Sequence, residues 1–315
     1  MALTVSLVAP DRRKVALKLL FARFPIDEQA SRLDDALGSA DRGCLNLDGL
    51  LLAEEDGQPV GAALMMRQND GVALVWPPVT TCHAVDTAAT EHAVMARLCG
   101  EIDRVDARLA QALIAPDDVA ERELLEKHGF HRAADMFFLA RTVGDADLIK
   151  APSALMLADD EVEFELFNEA NADRFATVIE RTYRESLDCP FLDGFRSGKD
   201  ALSSHRLSGT FDPAGWRLYK SGQEDIGVLL MNEHPEQNAI ELVYFGIVPE
   251  FRGKRLGRRI LTEGIQAAAI TGRAAFFLAV DCENIYANRL YGELGFSEMA
   301  RRQVMLRRSD RLARK

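Results

Sequence analysis

The sequence predicts a mixed α/β protein built from two tandem copies of one unit. Three observations carry that expectation. Apolar runs of strand length alternate with runs of helical periodicity. At 315 residues the chain exceeds the usual size of a single domain. A faint internal repeat keeps its order: Val72–Val79 (VALVWPPV) parallels Ile240–Ile247 (IELVYFGI), and Leu124–Phe130 (LLEKHGF) parallels Leu290–Phe296 (LYGELGF).

The opening run Ala2–Pro10 is broken by Asp11, Arg12 and Arg13, too short and wrongly flanked for a signal peptide. Val72–Val79 reads as a strand, and Ala88–Cys99, apolar at Ala93, Met95, Leu98 and Cys99, as the helix that follows. The loop between them, Thr80–Asp86, holds neither glycine nor cation. After Leu124–Phe130 comes the strand candidate Ala134–Ala140. Polar Gly144, Asp145 and Asp147 give way to Pro152 and Ser153, so a linker is expected across Gly144–Leu157 and domain bounds of 1–150 and 151–315.

The order of elements then restarts, with a strand at Glu163–Asn168 and a helix at Asn171–Tyr183. Thr182–Trp216 reads as loop, because Pro190, Gly194, Gly198, Gly209 and Pro213 interrupt any long helix. Its Tyr183, Glu185, Asp188, Asp193, Arg196, His205 and Arg206 suit either ligand contact or turn chemistry. Cys189 has no identifiable base and is not read as a nucleophile.

The most informative stretch is Val248–Arg259 (VPEFRGKRLGRR), which closes the apolar run Leu242–Ile247 and opens an amphipathic one. It carries five cations and no anion from Arg252 to Arg259, in a chain of formal net charge -11. A strand turning through Pro249, Gly253 and Gly257 into a helix aims backbone N–H groups and guanidinium groups at one spot, which suits a polyphosphate. Downstream, Ala274–Val280 reads as a strand. In Asp281–Phe296, Asn284 suits a helix cap, Ala287, Leu290 and Leu294 repeat at helical spacing, and Gly295 fits the C′ position. Tyr291 follows the apolar Leu290 and is expected beside the buried stripe.

Together, strand, RGKRLG, helix, strand and N284xxA287xxLY291xxxGF296 resemble the GNAT superfamily of N-acetyltransferases over about residues 238–307. The resemblance implies a fold of two tandem GNAT units, each a mixed, mostly antiparallel twisted sheet flanked by helices. It implies that the RxxGxG or RxxGxA loop binds the pyrophosphate of acetyl-CoA, here through Arg252, Gly253, Lys254, Arg255, Leu256, Gly257 and Arg258 with Asn284, and that Tyr291 lies near the thioester sulfur. Arg255 stands where the family has its middle glycine. Positions matching Asn284, Ala287 and Tyr291 in the first copy are Asp118, Glu121 and Leu125, so residues 1–150 are expected to be a degenerate unit without a CoA loop and 151–315 the active one.

An amine must lose a proton before it attacks a thioester carbonyl. The resemblance gives that task to Glu241, eleven residues before Arg252, on a strand face that strict alternation shares with Val243, Phe245 and Ile247. It sets the backbone N–H near Ile247 and Val248 against the acyl carbonyl. Tyr291 would protonate the CoA thiolate, a transfer uphill by about 1.5 pKa units, roughly 2 kcal/mol, at ordinary tyrosine and thiol values. The expected activity is acetyl transfer from acetyl-CoA to a primary amine of a small molecule. The alternatives are a protein or peptide acceptor, or an acyl-CoA-binding regulatory protein without turnover.

Composition narrows the partners. Cys44, Cys82, Cys99, Cys189 and Cys282 are odd in number and scattered, with no metal-ligand spacing, as expected of free thiols in a reducing cytoplasm and of a protein without a metal. No run approaches the roughly 18 apolar residues of a membrane span. The acidic total argues against nucleic acid. The arginines at 301, 302, 307, 308, 311 and 314 flank the strand candidate Gln303–Leu306 and read as an exposed edge and solvated end. Oligomeric state is not legible.

Overall fold

The computed structural model describes residues 2–43, 45–68, 71–148, 162–190 and 197–308. Residues 149–157 of the expected linker lie outside them, as do Cys44, Asp193, Arg196, Arg311 and Arg314. In chain order the elements are β1 (Leu3–Leu7), α1 (Arg13–Leu20), α2 (Ile26–Asp41), β2 (Leu50–Glu55), β3 (Gln58–Arg67), β4 (Val72–Thr80), α3 (Thr87–Arg104), β5 (Leu109–Ile114), α4 (Val119–Lys127), β6 (His131–Thr142) and α5 (Asp145–Leu148). Then follow β7 (Val162–Leu166), α6 (Ala172–Tyr183), α7 (Gly198–His205), β8 (Trp216–Ser221), β9 (Glu224–His234), β10 (Ala239–Ile247), α8 (Leu256–Ile270), β11 (Ala275–Asp281), α9 (Ile285–Glu293) and β12 (Ser297–Arg308).

The chain forms two compact units, residues 1–133 with 303–315 and residues 134–302. The first has the sheet order β1-β2-β3-β4-β5-β12, in which β4 and β5 run parallel and every other pair antiparallel. The second has the order β7-β8-β9-β10-β11-β6, with β10 and β11 as its parallel pair. Each is therefore the mixed, mostly antiparallel sheet expected, with the same strand pattern. The repeat extends to the turns: α4 and α9 both end at a glycine in the left-handed region, Gly129 (φ 83°) and Gly295 (φ 85°). The next N–H, of Phe130 or Phe296, then closes on Leu125 O or Tyr291 O.

The division differs from the boundary at 150/151 that the sequence suggests. The strand after α4, β6, lies in the second unit, where Phe277 pairs with Ala140. The strand after α9, β12, returns to the first, where Met305 pairs with Ala112. Gln303, Val304, Met305 and Leu306 are buried there, so this stretch is not the exposed edge expected of it. Two copies with similar strand patterns offer similar edges, and apolar alternation does not say which edge a strand takes.

In the second unit β9 is central. Ile226 and Val228–Met231 are buried on both faces, as a strand covered on each side requires. Leu256, Ile260, Leu261, Ile265, Ala268 and Ala269 give α8 the stripe that packs into the core.

Candidate active site

β10 and β11 pair from Ala239/Ala275 to Leu242/Leu278, and there the ladder ends. β10 runs on to Ile247 and β11 to Asp281, so the two strands part. A bulge between Leu242 and Tyr244 in the β9–β10 ladder coincides with the parting. The extra residue reverses the alternation beyond it: Glu241 shares its face with Tyr244 and Gly246, while Phe245 and Ile247 turn to the other side. The shared face expected for Glu241, Phe245 and Ile247 is thereby corrected. Val248 N–H donates to Ile226 O on β9, so it is not available as an oxyanion donor, and ladder alternation directs the Ile247 N–H to the opposite edge of β10.

The basic loop divides its labour. Arg252 bonds four backbone carbonyls: Nε to Ile247 O, Nη1 to Arg184 O and Glu185 O, and Nη2 to Thr182 O. Its guanidinium is a clamp between the loop and the end of α6, in place of the phosphate contact expected. Gly253 has φ 77° and open space where a Cβ would stand. Arg255 holds φ 62°, the region where Cβ crowds an L-residue, which is the physical reason for a glycine there in the family motif. Gly257 serves close packing: a Cβ would lie 3.1 Å from Leu290 Cδ2. Arg258 pairs with Glu293 on α9, and Lys254 lies over the Phe251 ring at 4.3 Å.

Leu256 opens α8 with its side chain buried. This helix has no side-chain N-cap and no acid in its first turn, with Arg255 at the N-cap position. Among the described residues, none forms an ion pair with Arg255. The corresponding helix of the first unit, α3, is capped by Asp86, whose carboxylate accepts from Ala89 N at 2.9 Å. The first unit thus fills the end of its helix with a carboxylate, while the second leaves N–H groups and cations facing outward, a site for an anion.

Asn284 caps α9, accepting from Ala287 N at 3.2 Å. Its amide also bonds Asp188, a carboxyl that burial pushes above its ordinary range. Asp188 accepts from Asp281 N, and Asp281 accepts from Cys189 N and Glu283 N, so the chain after α6 is fastened to the end of β11. Tyr291 is the buried residue of α9, packed on Phe296 with ring centroids 5.6 Å apart, so it lies on the apolar stripe and not beside it. Burial, with the nearby Asp188 carboxylate, pushes its phenol above the tyrosine range.

Glu241 is partly buried and accepts from Ser208 Oγ at 2.6 Å, with His234 Nε2 at 2.8 Å. Neither partner stands out in the sequence. His234 closes β9 just before the turn Pro235–Gln237, and only the hairpin register brings it to Glu241. Of the loop candidates, Tyr183 and His205 pack against the Tyr244 ring. Arg206 pairs with Glu169 and lies over Phe167 and Phe211, and Glu185 sits in the left-handed region as part of the turn that Arg252 clamps.

Residues 179–296 match the family model of the acetyltransferase (GNAT) family. The chain carries a GNAT acetyltransferase domain. Beyond this GNAT domain, the chain is 28% identical over 253 residues to a mycothiol acetyltransferase of Kocuria rhizophila, covering 78% of this chain and 80% of the relative. It is 26% identical over 260 residues to one of Stackebrandtia nassauensis, covering 79% and 78%. A GCN5-related N-acetyltransferase of Sphaerobacter thermophilus shares the fold at TM-score 0.65 and 18% identity, covering 97% of this chain and 95% of its own. A tandem GNAT protein from the clavulanic acid biosynthesis pathway does so at TM-score 0.53 and 14% identity, covering 98% of each. The likeness to these two structures, which extends over both halves of the chain, is one of fold. No helix among the described residues is long and apolar enough to cross a membrane.

Proposed function

We propose that the protein transfers the acetyl group of acetyl-CoA to a primary amine of a small molecule, by direct attack while both substrates are bound. The observation that carries this reading is the contrast between the uncapped, basic N-terminus of α8 and the Asp86-capped α3. The backbone N–H groups after Arg255, with Lys254 and Arg255, would hold the CoA pyrophosphate. Bound acetyl-CoA supplies an acyl carbonyl activated as a thioester. The acetyl-bearing end of the cofactor would enter where β10 and β11 part beyond Leu242/Leu278, with the Ile247 N–H on the β10 side.

Glu241 would take the proton of the acceptor ammonium. Tyr291 would give its proton to the departing sulfur. Its raised phenol makes that transfer harder on its own, but a thiolate leaving into the same buried space is raised by the same desolvation, so the two shifts offset one another. The names of the relatives support a small-molecule acceptor in place of a protein.

Isothermal titration should give about micromolar binding of acetyl-CoA at one site per chain. A screen of primary amines for acetyl-CoA-dependent CoA release should then show turnover that Glu241→Gln lowers about 100-fold. Binding without turnover for any amine would assign the chain to acyl-CoA-binding regulators. Absence of binding would remove both readings.

A further inference from the structure

Glu241 is held asymmetrically. Ser208 Oγ and His234 Nε2 both reach the same oxygen, Oε2. An ionised carboxylate only accepts, so both neighbours donate, and the proton of His234 sits on Nε2 in that bond. No described residue donates to Oε1.

Both donors are fixed by what lies behind them. Ala239 pairs with His234 and Glu241 with Asn232, so His234 and Glu241 are diagonal neighbours on one face of the β9–β10 ladder. The His234 ring stands edge-on to Phe277 at 5.2 Å. Gly209 leaves it room, since a Cβ there would come within 2.7 Å of His234 Nε2. Ser208 is anchored through Asn232, whose buried amide donates to the carbonyls of His205 (2.6 Å) and Ser208 (2.5 Å) while its oxygen accepts from Trp216 Nε1. A chain of bonds therefore runs from Trp216 through Asn232 and Ser208 to one oxygen of Glu241.

We propose that His234 and Ser208 are positioning residues, which fix Oε2 of Glu241 and leave Oε1 as the atom that takes the proton of the acceptor amine. The proposal rests on the reading of Glu241 as the base. In the step, an N–H bond of the ammonium breaks, an Oε1–H bond forms, and nitrogen keeps the electron pair with which it attacks. Oε2 keeps both its donors throughout, so nothing has to rearrange as the proton moves. A glutamate free to turn would present Oε1 only part of the time and lose effective concentration toward the amine.

The test uses the full chain with acetyl-CoA and cysteine methyl ester, glucosamine and spermidine as acceptor probes. His234→Ala and Ser208→Ala should each lower kcat roughly 10-fold with the KM for acetyl-CoA unchanged. His234→Gln should recover most of the loss, because its amide N–H can reach Oε2. In a Glu241→Gln background, His234→Ala should change nothing further. If Glu241→Gln is slow while the His234 and Ser208 variants match wild type, the positioning role falls and the base stands. A His234→Gln as impaired as His234→Ala overturns the donor role. Full activity of Glu241→Gln, or acetylation of none of the probes by wild type, removes the base or small-amine reading, and this proposal with it.

Discussion

Arg255 is an arginine where the chain geometry asks for glycine. At φ 62° its Cβ is strained, while glycine is penalised only by the entropy it has to lose on folding. Arg255→Gly should therefore raise stability by about 0.5–1 kcal/mol, read from the midpoint of chemical denaturation, while weakening acetyl-CoA binding several-fold through the lost cation. Tyr291 makes a second prediction. An ordinary tyrosine titrates near 10, but burial and Asp188 raise this one. Its contribution to stability, and its capacity to donate a proton, are complete below the ordinary value and are lost only as pH rises through the higher folded one. The kcat profile should then show no falling limb from this group up to about pH 10, and Tyr291→Phe should be about 10-fold slower across the range. A falling limb near 10 that Tyr291→Phe removes would show that the phenol is not buried in the working enzyme.

Between strand and helix, the loop Val248–Arg255 depends on the Arg252 clamp. Four carbonyl oxygens from two segments converge on one planar guanidinium, a geometry that an ammonium cannot match. Arg252→Lys should cost roughly 2 kcal/mol in thermal or denaturant unfolding. It should also raise the Kd for acetyl-CoA indirectly, by loosening the loop at the start of α8. If it lost binding with stability unchanged, Arg252 would be a direct phosphate ligand after all. The Asn284 cap and the Gly295 stop of α9 were legible as residue types, because capping and left-handed termini are local chemistry. The bulge in β10 was not, since a register shift is a property of the β9–β10 pair.

At the scale of the molecule, the last strand belongs to the first unit's sheet. Removing residues 303–315 deletes β12 beyond Arg302, taking the buried Val304, Met305 and Leu306 off the edge of β5. Each buried aliphatic side chain is worth roughly 1.5–3 kcal/mol, so hydrogen exchange should accelerate in β4 and β5 while β8 to β10 keep their protection. A fragment of residues 151–315, the active domain by sequence, lacks β6 and leaves β11 with an unpaired edge. It should aggregate or fold poorly, whereas the full chain stays monodisperse in size-exclusion chromatography.

By itself, the sequence determined the type of unit, its repetition, the position of the basic loop, the absence of that loop from the first copy and the cap of α9. These depend on residue types at fixed short spacings, where backbone sterics and helix-end chemistry act locally. Only the tertiary structure decided that β6 and β12 complete sheets other than those of their sequence neighbours, that Arg252 clamps backbone, and that Tyr291 is buried. It also placed Ser208 and His234 on a single oxygen of Glu241. Each of these depends on which distant segment lies across a ladder or under a side chain, and periodicity along one chain carries no record of its partner.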